Sequence, residues 1–202
     1  MLRASEQERD DVKQARRQFR KDIQKIAAED LVFVDETGID TRMQRRYGRA
    51  APDQRAYGSA PWGGYKRLTV VAGLAGEGLL APMDSTHAMD TSLFLGYLEQ
   101  VLIPELVKTK PGAVVVLDNL KPHRATEVRE RLEAAGLGVL DLPPYSPDFA
   151  PIEQAWSKLK TLLRTAAART RQALERALAE VINCVTAQDA HGYFAHCGYE
   201  IL

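Results

Sequence analysis

The chain has 202 residues, 45% of them apolar, with 27 basic and 27 acidic side chains and a formal net charge of zero. That suffices for one sizeable domain with appendages and is an ordinary soluble composition. Its apolar runs fall short of the roughly 20 residues of a membrane span, its charged N-terminus lacks a signal-peptide core, and its zero charge argues against a dedicated high-affinity nucleic-acid module while leaving room for a local basic patch.

Cys184 and Cys197 are the only cysteines, without a CxxC pair. This fits a reducing cytoplasm and gives no disulfide framework.

In chain order, residues 5–28 read as a mixed-charge, weakly amphipathic helix, more a connecting arm (1–29) than a core element. "LVFVDE" (31–36) is an apolar run ending in acids, which predicts a buried strand. Residues 41–66 are rich in Gly, Pro and Arg and predict an irregular excursion with short strands. "RLTVVAGLA" (67–75) and "GLLAPMDS" (78–85) predict two strands joined by a glycine turn. Asp90 suits the N-cap of a helix through Leu106, broken by Lys110-Pro111-Gly112. "AVVVLDN" (113–119) is the strongest strand signal, followed by a helix over 124–135 stopped at Gly136 and a strand over 137–143. The turn "PPYSPDFAP" leads into a helix from Pro151 to about Arg164, with another from Thr170 to Val185. Three strands, then strands alternating with helices, predict a mixed α/β sheet with helices on both faces.

Acids stand where such a sheet places ligands. Asp118 ends its strand, Asp35 and Glu36 end another, and Glu153 opens the helix after the last strand. Neighbours on a strand face opposite ways, so only one of Asp35 and Glu36 can join Asp118. Three converging carboxylates repel one another unless a cation sits between them, and all-oxygen ligands suit Mg²⁺ or Mn²⁺. Two ions in such a site serve in-line displacement at phosphorus. Plainer readings stand beside this: an acid at Glu153 also suits the helix dipole, Asp118-Asn119 also suits a turn, and Asp35-Glu36 also suits a polar strand end.

The strings "VDETGI", "LDNLKPH" and "LPPYSPDFAPIEQAWSKLK", in that order, resemble the DDE transposases of bacterial insertion sequences related to the mariner superfamily. Residues 119 through 152, 34 in all, separate Asp118 from Glu153, the spacing that marks that group. The resemblance runs from about residue 30 to the end, including "GYFAHCGY". It implies an RNase H-like five-stranded catalytic domain (30–165) with a helical extension (166–202), and it carries the catalytic and metal-binding triad onto Asp35, Asp118 and Glu153, choosing Asp35 over Glu36. It also implies two Mg²⁺ or Mn²⁺ ions, DNA element ends and TA targets as partners, a homodimer in synapsis and a nucleoid-associated cytoplasmic setting.

The sequence departs from the family in two places. Ala150 stands where the family has Asn, forgoing an N-cap worth roughly 1 kcal/mol, for which Ser146 or Asp148 would have to compensate. The helix-turn-helix readers of relatives have no counterpart before Asp35, so the chain reads as the second half of a split transposase, served by an upstream-encoded reader, or as a truncated copy.

Arg45, Arg46, Lys121, His123, Lys158 and Lys160 are candidate DNA contacts, each with a solvated-surface alternative. Trp156 reads as core rather than as a base-stacking residue. Cys184, His191, His196 and Cys197 lack zinc-site spacing. Two rivals to the transposase remain, an RNase H-like nuclease that only hydrolyses and an inactive interaction subunit.

Overall fold

The computed structural model describes residues 5–45, 47–59 and 61–201. Its centre is a five-stranded sheet of β1 (Leu31–Asp40), β2 (Arg67–Ala75), β3 (Gly78–Ser85), β4 (Val114–Leu117) and β5 (Gly138–Asp141), in the order β3-β2-β1-β4-β5. β1 pairs with β2, and β2 with β3, antiparallel; β1–β4 and β4–β5 are parallel. This is the mixed α/β sheet of an RNase H-like fold.

Alternation along β1 sorts its side chains between two cores. Leu31, Phe33 and Ile39 point to one face, Val32 and Val34 to the other. The first face is covered by α1 (Asp10–Ile23), α5 (Ile152–Ala166), α6 (Arg171–Val181) and α7 (Ala187–Cys197). The second is covered by α2 (Thr91–Tyr97), α3 (Ile103–Thr109) and α4 (Thr126–Ala134). Strands buried on both sides explain the near-continuous apolar runs of β1 and β4. Among the described residues no helix is long and apolar enough to cross a membrane.

The helix expected from Asp90 through Leu106 extends to Thr109 and is interrupted by a π turn at Leu98–Leu102. Pro104 explains it: proline has no N–H for the i−4 carbonyl, and its ring crowds that turn. Asp90 caps as predicted, its Oδ1 accepting from Leu93 N at 2.8 Å. In the β2–β3 hairpin Gly78 has φ +122°, and a Cβ there would lie 2.6 Å from the Val185 carbonyl oxygen, so only glycine fits.

Two expectations need correction. Residues 41–66 contain no strand among the described residues; the segment is tied at its base, where Arg169 Nη1 donates to the carbonyls of Thr41 and Met43 at 3.1 and 2.9 Å. And α1 is not a loose arm. Its Phe19 and Ile23 are buried in the first core, Phe19 stacks on Phe149 with ring centroids 5.5 Å apart, and Arg16 grips Asp148 through both guanidinium nitrogens.

Candidate active site

β1 and β4 run side by side in register, Val34 opposite Leu117, so the next residue of each, Asp35 and Asp118, stands at the same level; β4 ends there, while β1 continues to Asp40 beside β2. Asp35 continues the alternation of Leu31 and Phe33, and Asp118 that of Val116; all three apolar residues belong to the α5-side core. Both acids therefore face α5. The turn before α5 brings Glu153, in the helix's first turn, to the same place. The three carboxylates line one cleft of about 490 Å³, with Asn119, Tyr145 and Pro147 among its other walls.

Each acid is held differently. Asp35 Oδ2 accepts from the Trp156 indole N–H at 3.1 Å. Asp118 Oδ1 accepts from Leu120 N at 2.9 Å and lies 2.5 Å from His123 Nδ1. Asn119, beside it, donates its amide to the Leu142 carbonyl and so ties this loop to the end of β5. Glu153 is exposed, and among the described residues its side chain has no hydrogen-bonding partner. Glu36, on the opposite face from Asp35, has Oε2 3.0 Å from His123 Nε2. The imidazole side chain is fully buried between the two acids, with its ring 4.2 Å from that of Phe94.

Burial, followed by the charge of Glu153, pushes the Asp35 carboxyl up to about 7; Glu36 and Asp118 add to the crowding. For His123, burial opposes protonation, but Asp118 and Glu36 overcome it and carry the pKa up to about 9. His123 thus stands behind Asp118 with its basicity raised, while Asp35 and Glu153 crowd each other in front.

Oxygen-only donors around a buried, repelled carboxylate are the chemistry that a hard divalent cation satisfies. Asp35, Asp118 and Glu153 fit such a group in kind. Among the described residues no three acidic, histidine or cysteine side chains form a ready-made metal cage, so the carboxylates would have to draw together around it.

The remaining candidates are scattered. His123 cannot be a DNA contact where it lies, because its side chain is fully buried and both ring nitrogens face acids. Lys158, expected at a DNA surface, has its ammonium 2.5 Å from Asp189 Oδ2 and joins α5 to α7 instead. Lys160 lines a second cavity with Arg42 and Arg164. Arg45 Nε reaches Thr165 Oγ1 at 3.4 Å, and Lys121 is exposed in the loop after β4. Arg46 lies outside the described residues. Ser146 and Asp148 do not cap α5 in place of Ala150; both are bound by Arg16, and α5 starts without a side-chain cap.

Sequence reasoning missed the two contacts that fix the acids. Trp156 packs as expected of a core residue, but its N–H also ends on Asp35. His123, a candidate DNA contact by sequence, is the buried link between Asp118 and Glu36. The adjacent acids of β1 were the available signal: two carboxylates sent to opposite faces each need a partner.

The family described as DDE superfamily endonuclease matches residues 30–175. The chain belongs to this family. The match spans β1 through the start of α6, and so includes all three cleft acids of the DDE chain. No curated protein sequence matches it. Solved structures do. A Mos1 transposase paired-end complex with left transposon end is similar with a TM-score of 0.75 at 18% identity, over 98% of this chain and 61% of that one. The mariner Mos1 paired-end complex with Mg has a TM-score of 0.73 at 17% identity, over 98% and 64%. The Mos1 catalytic domain with Raltegravir and Mn has a TM-score of 0.67 at 15% identity, over 98% and 94%. The chain thus spans about three fifths of the paired-end Mos1 chain and nearly all of the catalytic domain.

Proposed function

We propose that this DDE endonuclease is the catalytic part of a cut-and-paste transposase. One observation carries the reading: Asp35, Asp118 and Glu153 line a single cleft, from the middle of β1, the end of the parallel β4 and a helix start. Family membership supports cleavage of nucleic acid, and the fold is shared with a transposase solved with transposon ends, with Mg and with Mn.

Asp35, Asp118 and Glu153 would together hold two Mg²⁺ or Mn²⁺ ions, which when bound supply Lewis-acid activation of attacking and leaving oxygens. The chain itself contributes aim. Trp156 holds one oxygen of Asp35 and leaves the other for the cleft; His123 and Leu120 N do the same for Asp118. Glu153 is exposed and unpaired among the described residues, the most adjustable of the three.

The reaction has two steps. Water attacks the phosphodiester at an element end, breaking the P–O3′ bond and freeing a 3′-hydroxyl. That hydroxyl then attacks a target phosphodiester; one P–O bond forms as one breaks, so strand transfer needs no covalent enzyme–DNA intermediate. The partners are element ends and a TA target, in a synaptic homodimer, with sequence reading supplied by a helix-turn-helix segment. Arg42, Lys160 and Arg164, which share a cavity, and the exposed Lys121 offer phosphate contacts.

The deciding experiment incubates the chain with Mn²⁺ and labelled DNA carrying a pre-cut 3′-hydroxyl end, alone and with the protein encoded just upstream. Joining of that end to a target supports the transposase. Hydrolysis without joining makes it a nuclease of the same fold. Neither product, together with no Mn²⁺-induced rise in Tm, leaves an interaction subunit.

A further inference from the structure

We infer that His123 and Glu36 are positioning residues for the reaction, a clamp that holds Asp118 from behind so that one carboxylate oxygen is presented to the cleft. The inference rests on the metal-dependent reading above.

The geometry has three parts. Asp118 Oδ1 is taken twice, by His123 Nδ1 at 2.5 Å and by Leu120 N at 2.9 Å, while Asp118 itself lines the cleft. That leaves Oδ2 as the oxygen free to bind. The ring of His123 is fully buried and packed 4.2 Å from the ring of Phe94, so it cannot swing away. Its far nitrogen, Nε2, lies 3.0 Å from Oε2 of Glu36, whose side chain is 14% exposed. This buried charge contact, short of an aligned hydrogen bond, joins the Phe94 packing in bearing on the ring from behind, and the ring holds the carboxylate. Partners behind a metal-binding group of this kind hold its orientation and basicity.

The clamp reaches Asp118 from the α2 side of the sheet, whereas the cleft opens on the α5 side. The Glu36 side chain does not line the cleft; its charge crowds Asp35 from across the sheet, and its contact to Asp118 passes through His123. This distinguishes it from a fourth ligand.

The test measures Mn²⁺ affinity by electron paramagnetic resonance on the full chain, with Tm of the metal-free protein alongside. Glu36→Gln nearly preserves shape and guards against a misfolded His123→Ala. Each is expected to weaken Mn²⁺ binding about 10- to 100-fold, and Glu36→Ala added to His123→Ala to cost no more than His123→Ala alone, because the two act as one unit. Wild-type Mn²⁺ affinity in Glu36→Gln, or losses that add in the double variant, would overturn the clamp. A wild-type chain that binds no Mn²⁺ would overturn the metal reading instead. The ¹⁵N shifts of His123 then still decide the clamp, since in the metal-free chain Glu36→Gln should move the Nε2 resonance and Asp118→Asn the Nδ1 resonance. Unmoved resonances sink it.

Discussion

The indole N–H of Trp156 is hydrogen-bonded to Asp35 Oδ2 at 3.1 Å, joining the fifth residue of α5 to the middle of the central strand. Trp156 is 2% exposed, and it lies in the same core as Phe33 and Ile152. A residue needed for packing thus also sets the angle of a cleft carboxylate. Trp156→Phe keeps much of the ring but leaves Asp35 without its donor. Unfolding by urea should show a loss of about 1–3 kcal/mol, the usual cost of a lost buried bond plus a small void. DNA cleavage should fall further than the stability loss explains. Cleavage unchanged in a folded variant would show that the bond is incidental.

Asp35→Asn, Asp118→Asn and Glu153→Gln should each reduce metal-dependent cleavage by about 10³-fold or more, corresponding to several kcal/mol of transition-state stabilisation. The metal-free Tm separates loss of chemistry from loss of fold. Asp35→Asn removes a buried carboxylate crowded by Glu153, Glu36 and Asp118, so the metal-free variant should melt higher than wild type. The same variant should lose the Tm rise caused by Mn²⁺. A variant that melts lower, or still responds fully to Mn²⁺, would contradict the crowding described.

Away from the cleft, Asp189 tests the joint between α5 and α7. Lys158, then the Thr186 backbone and hydroxyl, hold its pKa down to about 2. A lowered carboxylate contributes stability that is complete above its ordinary pKa of 3.8 and is lost as pH falls through about 2. Thermal unfolding between pH 5 and 2 should therefore show a steeper decline in wild type than in Asp189→Asn. Lys158→Met should flatten the same window. Parallel curves would mean that the pair contributes nothing measurable.

The two cysteines should differ sharply in reactivity. Cys184 is exposed, whereas burial pushes the Cys197 thiol up to about 11 and Gln154 Nε2 sits 3.6 Å from its sulfur. Only about one Cys197 in a thousand would be a thiolate at pH 8, and the thiolate is the reactive form. A native-state titration with a disulfide reagent at pH 8 should show one fast thiol and one slow one, becoming two fast thiols in denaturant. Equal native rates would mean that α7 does not pack as described.

Much of this was legible in the chain. The apolar runs "LVFV" and "VVVL" announced strands buried on both faces, and the acids following them announced a site, although β1 runs past its pair to Asp40 instead of ending there. Periodicity could not choose between Asp35 and Glu36; the register against β4 does, by matching Asp35 to Asp118. The docking of α1 was hidden because its partner Phe149 is 130 residues away from Phe19 and its stripe is interrupted by arginines, two of which, Arg16 and Arg20, cover that same ring. α7 did carry a local signal, Thr186 with Asp189 three residues on, a reciprocal cap that the structure forms. His123 had none, since nothing in "DNLKPH" says that the loop folds its last side chain back under its first.

Asp35 and Glu36 share one peptide bond, yet one faces α5 and the other the layer of α2. The phase of β1 is therefore a quantity that cannot drift. Deleting one residue between Leu31 and Asp35 would trade the places of the two acids, sending the longer side chain towards Trp156 and the shorter one towards the imidazole. Lengthening or shortening residues 41–66, by contrast, leaves that phase alone. Diversification of such an enzyme has freedom in its loops and almost none in the counting of this one strand.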